Sequence, residues 1–171
     1  MRNLEFKAHL GDPRAVLAQA RELGADSWED LRQTDTYFAV AAGRLKLRET
    51  AGFQAELIYY QREENGASRP SDYEIAHSAD AEALRSVLSK ALGVLATVKK
   101  RRTLLVLDST RIHLDNVEGL GSFIELETLV KQDEAEARVR IDGLVRALGF
   151  DWSDCLRASY LDLMLQEKAP A

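Results

Sequence analysis

Alternation of polar and apolar residues is the dominant pattern along the chain. In Asn3-Leu4-Glu5-Phe6-Lys7 the polar residues are 3, 5 and 7 and the apolar ones 4 and 6. The same period recurs in Arg44-Leu45-Lys46-Leu47-Arg48, in Arg111-Ile112-His113-Leu114-Asp115 and in Phe123-Ile124-Glu125-Leu126-Glu127. Period 2 predicts strands, with each polar set on one face and each apolar set on the other. Strands are expected at Asn3–His9, Thr34–Val40, Arg44–Thr50, Phe53–Arg62, Tyr73–His77, Thr97–Asp108, Thr110–Val117 and Phe123–Val130. The last three follow one another closely and should pair as antiparallel neighbours. Glu63–Asp72 reads as a loop.

Helical periodicity predicts three helices and a short fourth. Asp12 followed by Pro13 is an N-cap with proline in the first turn, and the helix runs over Ala15–Leu23 to Gly24. Asp80–Leu92, capped by Ser78 or Asp80, stops at Gly93. Asp133–Leu148 puts Ile141, Leu144, Val145 and Leu148 on one face before Gly149, and Ser159–Gln166 is a shorter candidate. Eight strands with three or four helices make this an α+β chain.

The signs of the charges sharpen that picture. A sheet with one wet face alternates anyway. Here, however, the strand 44–48 is all cationic on its polar face, while 123–127 is all anionic. Eight strands can close into a barrel. The expected architecture is therefore a closed antiparallel barrel, or tunnel, with helices packed outside on the apolar face and the charges pointing inward. Carboxylates gathered on one side and Lys/Arg on another suit a divalent ion and a polyphosphate.

Composition narrows the classes. The 171 residues fit a single domain over 1–171, with a net charge of -5. That charge disfavours a general nucleic-acid binder and leaves room for a local cationic pocket. One cysteine, Cys155, permits no internal disulfide. With three scattered histidines it makes no Cys/His zinc site, so a metal held by carboxylates, Mg²⁺ or Mn²⁺, is expected. No apolar run approaches the ~20 residues of a membrane span. MRNLEFKAHL lacks the apolar core of a signal peptide, so the expected location is cytoplasmic. A homodimer is the base-rate expectation for assembly.

Several motifs together resemble the CYTH family, the triphosphate tunnel metalloenzymes, which includes class IV adenylyl cyclases and thiamine triphosphatases. They are Asn3-x-Glu5-x-Lys7, Asp35-Thr36-Tyr37-Phe38, Leu45-Lys46-Leu47-Arg48-Glu49, Lys100-x-Arg102, Ile112-x-Leu114-Asp115 and Phe123-Ile124-Glu125-Leu126-Glu127. Gly119-Leu120-Gly121-Ser122 and Ala158-Ser159-Tyr160-Leu161-Asp162 look most like the cyclase branch. The resemblance implies metal ligands at Glu5, Glu125 and Glu127. It implies phosphate-binding cations at Lys7, Lys46, Arg48, Lys100 and Arg102, with Lys7, Tyr37, Arg48 and Arg102 as catalytic candidates and Tyr37 beside Lys7. Asn3, Gln61, Arg111, His113 and Asp115 would also line the tunnel. Two positions depart from the family pattern. Asn3 stands where the hallmark has a first Glu, and an amide is a poorer ligand for a hard cation. Gln61 takes the place of a tunnel-facing Lys, with Arg62 expected on the other face.

The resemblance implies a metal-dependent reaction on a triphosphate: cyclisation of ATP to cyclic AMP and pyrophosphate, or hydrolysis of thiamine triphosphate or another organic or inorganic triphosphate. A tunnel that binds a nucleotide or polyphosphate without turnover is the non-enzymatic alternative. His113 is read as structural, because an isolated histidine lacks ligand partners. Cys155 is read as packing.

Overall fold

A computed structural model describes residues 3–62, 71–131 and 133–167. Most of the expected Glu63–Asp72 loop lies outside them. The described elements are β1 (Asn3–His9), α1 (Pro13–Glu22), β2 (Asp26–Phe38), β3 (Arg44–Thr50), β4 (Ala55–Arg62), β5 (Ser71–Ser78), α2 (Ala81–Leu92), β6 (Val94–Leu107), β7 (Thr110–Val117), β8 (Gly121–Leu129), α3 (Glu134–Ala147) and α4 (Tyr160–Glu167), with a 3-10 turn at Trp152–Asp154. The helix starts follow their caps. Asp12 accepts from the amides of Arg14 and Ala15, Asp80 from Ala83 and Asp133 from Ala135. Asp80, rather than Ser78, caps α2.

All eight strands form one antiparallel sheet in the order β1-β8-β7-β6-β2-β3-β4-β5. β6, β7 and β8 are consecutive neighbours, as their short connections predict. Gly119 and Gly121 take φ of +82° and +95° in the β7–β8 turn, a region glycine enters without a Cβ clash.

Strand ends shift by one to three residues at several places, β6 for example starting at Val94 and not Thr97, and two departures are larger. β2 begins at Asp26, eight residues before the predicted start. Residues 26–33 are too polar to alternate, and pairing with β6 from Asp26↔Val106 onward makes them a strand. The barrel also does not close. The sheet curls through 194° into a half-barrel, and among the described residues β1 and β5 are its edges. Tyr160 and Leu161 of α4 share one apolar cluster with Ile58, Tyr60, Val98 and Phe123, and the helix packs chiefly on β6 at the middle of the sheet.

The helices cover the outer face as expected. α1 and α3 bury Val16, Ala20, Ile141, Leu144 and Val145 against Leu4, Phe6, Ile112, Ile124 and Leu126. α2 sets Leu84 and Leu88 against Phe38 and Leu47. Each fully buried side chain of this size contributes roughly 1.5–3 kcal/mol. No helix of the described residues is long and apolar enough to cross a membrane. With the apolar residues of the strands turned outward to these helices, their polar partners are left on the concave side.

Candidate functional site

The concave face holds a cavity of about 320 Å³ whose lining includes Asn3, Glu5, Lys7, Asp35, Tyr37, Lys46, Arg48, Lys100, Arg102, Arg111, His113, Glu125 and Glu127. Small-molecule sites start near ~300 Å³, so the space suits a compact ligand. Register explains the lining. Glu5 lies opposite Glu127 and Lys7 opposite Glu125 across β1–β8. Arg111 and His113 lie opposite the same two glutamates across β7–β8. Directly opposed residues are near neighbours, so the three acidic candidates share one patch.

On that patch Lys7 Nζ lies 2.8 Å from Glu125 Oε1 and Arg111 Nη2 lies 2.8 Å from Glu127 Oε2. Arg102 reaches Glu125 Oε2 at 2.6 Å and grips Asp115 through Nε and Nη2 at 2.7 and 2.6 Å. Asp115 lies beneath Arg102, almost wholly buried, and also accepts from the Tyr160 hydroxyl at 2.9 Å. For both Glu125 and Glu127, burial opposes the charge. Lys7 and a His113 contact outweigh it at Glu125, His113 and Arg111 outweigh it at Glu127, and both stay below the usual carboxylate range.

The opposite wall is built round Asp35. Arg48 Nε and Nη2 each donate to its carboxylate at 2.8 Å, Lys46 Nζ lies at 3.0 Å and Lys100 Nζ at 3.6 Å. Burial disfavours the Asp35 anion, yet Arg48, Lys46 and Lys100 together hold it well below its ordinary pKa. The lysines pay the other side of that arrangement. Burial, then Arg48, pushes Lys46 down to about 7, and burial, then Arg102, pushes Lys100 down to about 8.

The structure brings most of the sequence candidates to one cavity, buries Asp115 behind Arg102 instead of on the lining, turns Gln61 away and changes the ring beside Lys7. Gln61 does not face it. Gln61 is exposed on the opposite side of β4, where its Nε2 donates to the Tyr59 hydroxyl at 3.0 Å. The inward positions of β4 are Glu56, Ile58 and Tyr60, so the parity assumed at the strand's end is one residue out. The Arg62 side chain lies outside the described residues. The ring against Lys7 is Tyr160, 4.1 Å from its Nζ, and Tyr37 instead sits against Lys46 at 5.6 Å. Asp35 and Tyr160 are the residues that sequence reasoning left without a role. Asp35 could have been found by alternation with Tyr37, while Tyr160 depends on how α4 docks.

A divalent ion fits the acidic patch. His113, Glu125 and Glu127 offer ligand atoms that all lie within 4.8 Å of one another. His113 is buried and its Nδ1 has no hydrogen-bond partner. Burial, then Arg102, pushes its pKa below the ordinary 6.5, against the opposing pull of Glu127 and Glu125. Two carboxylates and a neutral imidazole are donors that divalent ions accept.

Comparisons with known proteins agree with this geometry. A Methanocaldococcus jannaschii protein named as a putative adenylate cyclase is 25% identical over 174 residues, covering 95% of this chain and 98% of its own. The solved structure of the PH1012 protein of Pyrococcus horikoshii superposes with a TM-score of 0.85 at 21% identity, over 94% of this chain and 98% of that one. A Hippeastrum protein described as a putative adenylyl cyclase with a dominant triphosphatase activity superposes with a TM-score of 0.71 at 14% identity, over 98% and 97% of the two chains. The family model of the CYTH domain matches residues 1–153, and the chain belongs to that family.

Proposed function

We propose that this protein is a divalent-metal-dependent enzyme acting on a triphosphate, and that its reaction is cyclisation of ATP to cyclic AMP and pyrophosphate. The observation that carries the reading is the facing of two walls across one cavity: Lys46, Arg48 and Lys100 around a single aspartate, and Glu5, Glu125 and Glu127 opposite. The cyclase assignment draws on the Methanocaldococcus relative's name and on the Gly119–Gly121 turn.

Arg48 and Arg102 are held rigidly by bidentate contacts to Asp35 and Asp115, so they meet phosphate oxygens with little left to order. Lys46 and Lys100 add charge beside Arg48 and keep their protons better once a polyanion arrives. These cations stabilise the negative charge that builds on departing pyrophosphate. Glu5, Glu125 and Glu127 would hold Mg²⁺ or Mn²⁺, and the ion would supply a Lewis-acid charge to phosphate oxygens. As the ribose 3′-hydroxyl attacks the α-phosphorus, the bond from that phosphorus to the bridging oxygen breaks, pyrophosphate leaves and the hydroxyl proton passes to solvent, while Lys7, fixed between Glu125 and the Tyr160 ring, orients the chain of phosphates.

A second reading is hydrolysis at the terminal phosphorus. It draws on the Hippeastrum protein of the same fold, which is described with a dominant triphosphatase activity. Purified protein offered ATP, thiamine triphosphate and inorganic triphosphate with Mg²⁺ or Mn²⁺ separates the readings. Cyclic AMP with pyrophosphate supports the first and orthophosphate the second. Tight binding of all three without product overturns both.

A further inference from the structure

His113 is placed where a sequence reading of it as structural gives no account of its contacts. It is buried on β7 directly opposite Glu125, and its Nδ1 has no hydrogen-bond partner. The nearest carboxylate oxygens are Glu125 Oε2 at 3.7 Å and Glu127 Oε1 at 4.0 Å. Both gaps exceed a hydrogen bond, which for N–H···O ends near ~3.2 Å. Two ligands about 2.1 Å from one ion lie roughly 3.0 Å apart when adjacent and about 4.2 Å apart when opposed. The observed gaps fall inside that range. A buried polar atom without a partner is costly, and an ion between the three side chains removes the cost.

We propose that His113 Nδ1 is a direct ligand of the divalent ion held by Glu125 and Glu127, and that this nitrogen biases the site toward Mn²⁺ over Mg²⁺. The proposal rests on the metal–triphosphate reading above. Mg²⁺ favours oxygen ligands and retains its water, whereas imidazole becomes a better ligand along the first transition row. A carboxylate-only site would show no such bias. The acidic wall is then a mixed nitrogen–oxygen site rather than the carboxylate set that composition suggests.

The test is direct metal binding to the untagged full chain, with no triphosphate present. Mn²⁺ is titrated by loss of the free-ion EPR signal, Mg²⁺ is measured by competition, and pulsed EPR reads ¹⁴N coupling to bound Mn²⁺. The chain has three histidines, so a coupling that His113→Gln removes is assigned to His113. Both His113→Gln and His113→Asn should lose it. Mn²⁺ affinity should fall about tenfold or more in His113→Gln, and Mg²⁺ affinity by less than about threefold. Circular dichroism establishes that the variants fold, and His113→Asn carries the test if His113→Gln does not. Mn²⁺ binding that Glu125→Gln abolishes but that shows no ¹⁴N coupling overturns the proposal and leaves the carboxylate site standing. Mn²⁺ binding indifferent to Glu125→Gln overturns the metal reading as well.

Discussion

The two walls of the cavity combine carboxylates and cations in different ratios. On the β2–β3–β6 side one carboxylate, Asp35, serves three cations and is itself sealed from solvent, with 2% of its side chain exposed. On the β1–β7–β8 side Glu125 and Glu127 keep 16% and 22% of their side chains exposed and share a patch with Glu5. Asp35 neutralises part of a cationic cluster and leaves a surplus positive charge toward the cavity. The glutamates are restrained by Lys7, Arg102 and Arg111 yet line the open space. Local sign is thus set by how many cations share each carboxylate and by which partner is sealed away, not by the number of charges on a strand.

The largest expected effect comes from undoing that ratio on the basic wall. Asp35→Asn strands Arg48, Lys46 and Lys100 without their shared anion, and breaking a buried ion cluster costs about 3–5 kcal/mol. Urea unfolding measures it. Inorganic triphosphate should recover more stability in the variant than in the unsubstituted protein, because the ligand takes over the neutralising role. An unchanged urea midpoint would show that Asp35 does not organise the wall.

Glu125→Gln tests the acidic wall, with function as the main readout. The variant loses the Lys7 contact and a candidate metal ligand, while Arg102 keeps its bidentate hold on Asp115. Metal-dependent turnover should fall about 100-fold. Its loss of stability should stay below that of Asp35→Asn, since fewer charges are stranded. Turnover at the original rate would remove Glu125 from the metal assignment.

These residues differ in how far the sequence reveals them. Glu5, Glu125, Glu127, Lys46 and Arg48 stand on strands with unbroken alternation, so their shared face follows from period 2 alone. Helix starts at Asp12, Asp80 and Asp133 are equally legible, because a cap is a local hydrogen bond. Closure of the barrel is not local: it depends on how far the whole sheet curls, and no periodicity within a single strand encodes that. Gln61 fails for a related reason. Adjacent Tyr59 and Tyr60 break the alternation in β4, and without it parity is set by the Tyr60↔Tyr73 pairing across the sheet. The pairing of Lys7 with Tyr160 rather than Tyr37 likewise needs the tertiary structure.

A smaller effect is expected from pH, and it again divides the walls. Lys46 near 7 and Lys100 near 8 lie below the ordinary 10.5 of a lysine. Between those values and 10.5 the folded protein binds fewer protons at these sites than the unfolded chain does. Stability of the unliganded protein should therefore rise with pH across that window. Affinity for inorganic triphosphate should move the other way, weakening roughly tenfold between pH 7 and 9 as the two cations are lost. Asp35, Glu125 and Glu127 are held below their ordinary values, so they remain ionised throughout. Isothermal titration across this range checks the affinity. A flat profile would mean that Lys46 and Lys100 contribute no charge to binding.

Gln61 should give the smallest effect, and its smallness is informative. If the position faced the cavity, replacing it would remove a hydrogen-bonding group from the ligand's path, and Gln61→Lys would add a cation where family resemblance expects one. On the outer side of β4 neither follows. Gln61→Ala gives up one exposed contact to Tyr59, and exposed substitutions of this kind change stability by no more than about 0.5 kcal/mol. Gln61→Lys should leave triphosphate affinity within about twofold, because its charge lies across the sheet in high-dielectric solvent and is screened. A marked gain in affinity for Gln61→Lys would mean that β4 pairs in the other parity when ligand is bound. That shift would turn Glu56, Ile58 and Tyr60 away from the cavity and disrupt the contact of Tyr60 with α4.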